Sequence, residues 1–156
     1  MPLTLQSAMQ FCQDYDEMSK QLVFTNGVFD LLHVGHLDYL EKARELGDAL
    51  LVAINDDDST RQYKGEGRPL VPAIERARLL EALAPVTAVI LFADATADRL
   101  LKAIKPHIYC KGGDYTPATL PEYATVTAYG GDVHLIDYLP NHSTSNLIHK
   151  IKHLPD

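Results

Sequence analysis

The chain has 156 residues, 46% hydrophobic and 22% charged, with a net charge of −7. That is long enough for one domain with a buried core and too apolar for disorder. Its 14 Lys and Arg residues are dispersed and form no basic patch, which argues against a nucleic-acid partner.

No apolar run approaches the roughly 20 residues that cross a bilayer. Residues 1–20 lack the basic start and apolar stretch of a signal peptide, so a cytoplasmic protein without membrane contact is expected. Residues 7–19 place Ala8, Phe11, Cys12 and Tyr15 at helical spacing, predicting a short amphipathic helix in an N-terminal extension, residues 1–21. The core of a single domain over 1–156 is expected at about 22–151, with its first strand at 22–25. Leu37, Leu40, Ala43 and Leu46 share one face of a helix predicted over 34–46, with Gly47 as its C-terminal stop. The continuous apolar run 49–54 reads as a strand covered on both faces. Residues 55–70 are polar and glycine-bearing, and read as a long loop of the kind that carries function.

Helices are then expected at 74–83, 97–104, 121–129 and 143–151, with strands at 88–92, 108–110 and 133–136. Strands alternating with helices predict an α/β fold, an open, doubly wound parallel sheet with helices on both faces. Ligands bind such sheets beyond the carboxyl ends of the strands. The segments containing His33, Lys64 and Lys111 all follow strands, so all three are expected at one crevice. Cys12 and Cys110 form no paired motif and are expected as free thiols.

The most informative segment is Thr25-Asn26-Gly27-Val28-Phe29-Asp30-Leu31-Leu32-His33-Val34-Gly35-His36. A short strand breaks at Gly27 and leads into a helix whose N-terminus carries two imidazoles flanking Gly35. Unpaired backbone N–H groups and the helix dipole make such an end a phosphate seat. Residues i and i+3 share a helix face, so the pair also suits zinc, but no other Cys, His or Glu spacing completes a ligand set. Asp30 suits capping of the helix, orienting a histidine or meeting an acceptor. Lys64 in Tyr63-Lys64-Gly65-Glu66-Gly67-Arg68-Pro69 is by default a solvated charge, yet its neighbouring glycines would let the segment close on a ligand. Arg76 beside Glu75 defaults to a weak surface ion pair. Lys111-Gly112-Gly113-Asp114 suits a glycine turn, and Ser143-Thr144-Ser145 suits a helix N-cap.

These segments together resemble the cytidylyltransferase-like nucleotidyltransferases, and among them the adenylyltransferase domain that makes ADP-heptose from D-glycero-β-D-manno-heptose 1-phosphate. The likeness runs from about Leu22 to Ile151 and implies a Rossmann-like nucleotidyltransferase fold. It implies catalytic roles for His33, His36 and Lys64, the histidines stabilising charge on phosphates. It implies nucleotide binding by Thr25, Asn26, Gly27, Phe29, Gly35, Lys111, Gly112, Gly113, Asp114, Ser143, Thr144 and Ser145. Asp30, Arg68 and Arg76 become substrate-binding candidates. Mg²⁺ is implied as the companion of ATP, with no metal ligands on the protein. A separate heptose kinase would supply the sugar phosphate, and a homo-oligomer remains open. A glycerol-phosphate cytidylyltransferase would show an arginine-threonine-glutamate-glycine run where this chain has Leu139-Pro140-Asn141-His142. That departure disfavours CTP with a polyol or amino-alcohol phosphate. A nucleotide sensor without turnover is the reading from another class, which the presence of His33, His36 and Lys64 opposes.

Overall fold

A computed structural model of the chain describes residues 1–155. In chain order the elements are α1 (Leu5–Glu17), β1 (Leu22–Gly27), α2 (Val34–Glu45), β2 (Ala49–Asn55), α3 (Asp57–Lys64), α4 (Ala73–Glu81), β3 (Ala88–Phe92), α5 (Asp98–Ile104), β4 (Ile108–Gly112), α6 (Tyr123–Ala128), β5 (Asp132–Ile136) and α7 (Thr144–Lys152). The strands form one parallel sheet in the order β3-β2-β1-β4-β5, as the alternation predicts.

Two apolar layers sandwich this sheet. Leu22, Phe24, Leu51 and Tyr109 face Ala8 and Cys12 of α1, Leu101 of α5 and Val126 of α6. Val23, Leu50, Val52 and Cys110 face Leu40 and Ala43 of α2 and Ala77 and Leu80 of α4. Alternate residues of a strand point to opposite faces, so a strand covered twice must be apolar throughout. All seven residues of β2 are buried. Both cysteines are free and buried, and burial pushes the Cys12 thiol up to about 11. The 1–21 segment is built into this core: Ala8 and Cys12 are buried, and Leu3 bridges to Ile90 of β3.

The chain winds outward from β1 through β2 to β3, then returns to the other side of β1 as β4. This reversal puts the topological switch point between β1 and β4, where doubly wound sheets bind ligands. Pairing of β1 with β4 ends at Thr25↔Cys110. Beyond it, Asn26–Gly27 and Lys111–Gly112 are unpaired with each other and flank an opening.

The expectation of an unbroken loop over 55–70 is corrected by α3. Asp56 caps this helix by accepting the Ser59 N–H at 2.8 Å, Asp57 and Asp58 fill the first turn, and Arg61 and Lys64 the last. These charges complement the helix dipole at both ends, which offsets the lack of an apolar face. Gly65, at φ 97°, ends the helix in a conformation that disfavours side chains. Gly47 directly follows the α2 cap, Leu46, as expected of the helix stop, and glycine is required there because a Cβ would lie 2.8 Å from the Gln21 carbonyl oxygen.

Candidate active site

A cavity of about 540 Å³ opens over the carboxyl ends of β1, β2 and β4. One side is built by the N-termini of α2 and α7. His33 is the α2 N-cap: its Nδ1 accepts the Gly35 N–H at 3.1 Å, while His36 Nδ1 accepts the His33 N–H at 3.4 Å. An Nδ1 that accepts carries no proton, so each neutral ring keeps its proton on Nε2. Each imidazole therefore retains one N–H donor. The rings stack with centroids 3.9 Å apart, and Phe29 packs against His36 at 5.3 Å. Burial, then the neighbouring His33, lowers the His36 pKa to about 4; burial and then His142 lower that of His33. Both shifts favour the uncharged rings at neutral pH.

Gly35 lets these groups come together. A Cβ there would approach His33 and His142 to 2.9 Å. Ser143 caps α7 by accepting the Asn146 N–H at 3.1 Å, and Thr144 donates its hydroxyl to Leu31 O at 3.2 Å, tying the two helix ends together. The Ser145 hydroxyl and the first amides of α7 remain available to an anion. Lys64, the last residue of α3, also lines the cavity and makes no ion pair among the described residues; its Nζ lies 4.9 Å from the Tyr63 ring. The sparse cations of an acidic chain thus gather where a polyanion would sit.

Across the opening, Lys111 Nζ donates to Asn26 O at 3.3 Å, and Tyr109 donates to Asn26 Oδ1 at 2.7 Å. Gly112 lies under the Tyr138 ring, which a Cβ would strike. Phe29 has φ 51°, an unusual backbone for an aromatic residue; its ring covers Gly27, and both line the cavity.

Several expectations change here. Asp30 does not cap α2, since His33 does. It is 3% exposed and accepts the Leu70 and Val71 N–H groups, each at 2.9 Å, and Arg68 Nε at 2.6 Å. Burial acts to raise its pKa, but the two amides and Arg68 prevail and hold the carboxyl below its ordinary value. Asp30 therefore fastens the 68–71 segment to the cavity wall. Arg76 is not a surface residue and does not reach the cavity. It is fully buried and donates to Val28 O, Asn55 O, Val71 O and Asp57 Oδ1 at 2.7–2.9 Å. Thr25 is fully buried too, its hydroxyl 2.6 Å from that of Tyr39, so it supports the floor from below. Gly113 and Asp114 lie outside the lining because the chain turns away after Gly112 at φ 106°.

The structure also adds residues. Tyr63, Tyr115, Glu122, Tyr138 and His142 line the cavity. Tyr138 and His142 follow β5, and the rule that ligands meet strand carboxyl ends could have pointed to them. Glu122 carries no such signal. Among the described residues no group of three His, Cys, Asp or Glu could hold a metal ion, and no helix is long and apolar enough to cross a membrane.

The cytidylyltransferase-like family model matches residues 24–148. The chain is 48% identical over 132 residues to the bifunctional protein HldE of Pelobacter propionicus, covering 85% of this chain and 27% of that one. With the bifunctional protein HldE of Methylobacillus flagellatus, identity is 46% over 147 residues, covering 94% and 30%. The chain thus spans under a third of the length of these relatives. Among solved structures, the lipopolysaccharide core biosynthesis protein from Thermoplasma volcanium is 27% identical with a TM-score of 0.64, covering 77% of this chain and 97% of that one. Pantothenate synthetase from Thermus thermophilus shares the fold at 15% identity and TM-score 0.64, covering 89% and 62%.

Proposed function

Because the chain belongs to the cytidylyltransferase-like family of nucleotidyltransferases, we propose that it transfers the adenylyl group of ATP to D-glycero-β-D-manno-heptose 1-phosphate. The products are ADP-heptose and pyrophosphate. The observation that carries this reading is the joining of the α2 and α7 N-termini around His33 and His36, whose Nε2–H groups remain free. The sugar assignment is supported by the likeness to bifunctional HldE proteins and by the segment Leu139-Pro140-Asn141-His142 before Ser143.

In the reaction, an oxygen of the acceptor phosphate bonds to the α-phosphorus of ATP. The bond from that phosphorus to the bridging oxygen breaks on the opposite side, and pyrophosphate leaves with the electron pair. A phosphate oxygen is already nucleophilic at neutral pH, so no protein base is needed. Catalysis then consists of positioning and of stabilising charge. His33 and His36 donate to phosphate oxygens, Lys64 neutralises the triphosphate, and Ser145 with the α7 amides holds a further phosphate. Asn26, Gly27, Phe29, Gly35, Lys111 and Gly112 shape the nucleotide's bed. Arg68 and Asp30 form the wall beside the acceptor, while Arg76 and Thr25 brace that wall and the floor.

Mg²⁺ accompanies ATP in this reading. The Asp30 carboxylate is already taken up by Arg68 and two amides, and the phosphate end otherwise offers imidazoles, hydroxyls and a lysine. Those groups do not make an oxygen cage, so phosphates and water would hold the cation. The sugar phosphate would come from a heptose kinase, and the reaction would run in the cytoplasm, where ATP is at hand.

ATP labelled at its α-phosphorus tests the bond made. The label is expected in the sugar nucleotide, and γ-label in pyrophosphate. Transfer of γ-label to the sugar would contradict the proposal.

A further inference from the structure

Glu122 is the last residue before α6 and is 4% exposed. Its Oε1 accepts the Ala97 N–H at 3.2 Å, which fixes the carboxylate's orientation. Its Oε2 is the one buried side-chain nitrogen or oxygen with no hydrogen-bond partner among the described residues. Buried polar atoms are nearly always satisfied, and a charged acceptor is among the least favourable to leave alone. Tyr109 and Lys111 lie close enough to feel its charge, yet neither bonds Oε2: the single proton of the Tyr109 hydroxyl goes to Asn26 Oδ1, and the one hydrogen bond of Lys111 Nζ goes to Asn26 O. Burial lowers the Lys111 pKa, and the Glu122 charge is the strongest influence working against it.

Glu122 nevertheless lines the cavity, beside Thr96 and Tyr115. It enters from the α5–α6 side of the sheet, across from the α2 and α7 N-termini. A carboxylate repels phosphate and accepts from neutral donors, so this end is built for a different part of the ligands than the histidine end. A hydroxyl-rich carbon skeleton supplies such donors, and tyrosine rings suit its C–H faces.

We propose that Glu122 is a specificity-determining residue whose Oε2 accepts a hydrogen bond from a hydroxyl of the acceptor sugar. This rests on the reading of the chain as a sugar 1-phosphate nucleotidyltransferase. It deepens that reading by assigning the carbon skeleton, as opposed to the phosphate, to the α5–α6 end. Any phosphate monoester can provide the attacking oxygen, so discrimination between acceptors must come from contacts of this kind.

The test compares wild type with Glu122→Gln and Glu122→Asp. It uses pyrophosphate release for kinetics, and calorimetric binding of heptose 1-phosphate and of a non-hydrolysable ATP analogue. Glu122→Gln is expected to reduce kcat/KM for heptose 1-phosphate by about 10- to 100-fold, the loss of a charge-assisted hydrogen bond. Affinity for the ATP analogue stays within about 3-fold, and the advantage over glycerol 3-phosphate narrows. Deoxy analogues of the acceptor, assayed with wild type, keep the test open if both variants fail to fold. One deoxy position should reproduce the loss, and where Glu122→Gln folds it should be insensitive to that position.

An unchanged acceptor KM in a folded variant, or full activity of every deoxy analogue, would overturn the inference while leaving the activity standing. A loss confined to the ATP analogue would reassign Glu122 to the nucleoside and overturn it as well. If wild type binds heptose 1-phosphate without turning it over, and Glu122→Gln weakens that binding, the inference survives and the activity fails. Neither binding nor turnover of heptose 1-phosphate would overturn both.

Discussion

His33 and His36 stack 3.9 Å apart and each turns Nδ1 toward the backbone at the start of α2. One arrangement thus caps the helix and leaves two Nε2–H donors in fixed positions. The structural and functional roles of the pair use different nitrogens, so neither excludes the other.

His36→Ala is expected to lower kcat by about 10²–10³-fold, the effect of removing one preorganised donor to developing charge, with much less effect on the KM for ATP. His142 lines the same cavity, so it is no neutral control; His153 lies in the exposed C-terminal segment after α7 and serves that purpose. Steady-state kinetics of purified, folded variants decides the matter. Nearly full kcat in His36→Ala would remove the residue from the mechanism.

The depressed His36 pKa makes a stability prediction with a definite sign. Burial and His33 lower it from 6.5 to about 4, so between these values the unfolded chain binds a proton that the folded chain does not. That contribution favours unfolding increasingly as pH falls from 6.5 toward 4, and is constant below. Its full size is roughly 3 kcal/mol by linkage. Carboxylates and other histidines titrate in the same range, so the difference between wild type and His36→Gln isolates it. Thermal unfolding is expected to show His36→Gln gaining on wild type between about pH 7 and pH 4.5. A pH-independent difference would show that His36 titrates normally.

Arg76 and Arg68 separate a brace from a wall residue. Arg76→Ala removes four hydrogen bonds from a buried site, those to Val28 O, Asn55 O, Val71 O and Asp57 Oδ1, of which Asp57 keeps only the Ala73 N–H and Asn55 O the Thr60 hydroxyl, and is expected to cost about 3–5 kcal/mol of stability. Arg68→Ala frees the Asp30 carboxylate, which keeps two amide partners, and is expected to lower thermal stability less while raising the acceptor KM. Denaturant unfolding and kinetics on both variants check this. Equal stability losses would contradict the division.

Much of this was legible in the sequence because it rests on local rules. Continuous apolar strands such as 49–54 and the alternation with helices specify a doubly wound sheet, and glycine between two histidines marks a crowded helix start. Helix α3 was hidden because it has little apolar face to register as periodicity. Its evidence was charge order, with Asp56, Asp57 and Asp58 before Arg61 and Lys64. Arg76, Thr25 and Asp114 show the opposite limit. Whether a polar residue near a motif faces a cavity, braces it from behind or turns away depends on long-range packing: the burial of Arg76 is set by Val28 and Asn55, far from it in the chain. Glu122 enters the cavity only because α5 and α6 are brought together, which no local pattern announces.

Adenylyl transfer to a heptose phosphate is tested most directly by pyrophosphate release measured with two substrate pairs on the same preparation. ATP with heptose 1-phosphate is predicted to exceed CTP with glycerol 3-phosphate in kcat/KM by at least ~10²-fold, about 2.7 kcal/mol of differential transition-state binding. Equal rates with the two pairs, or preference for CTP and glycerol 3-phosphate, would contradict the assignment of both base and sugar.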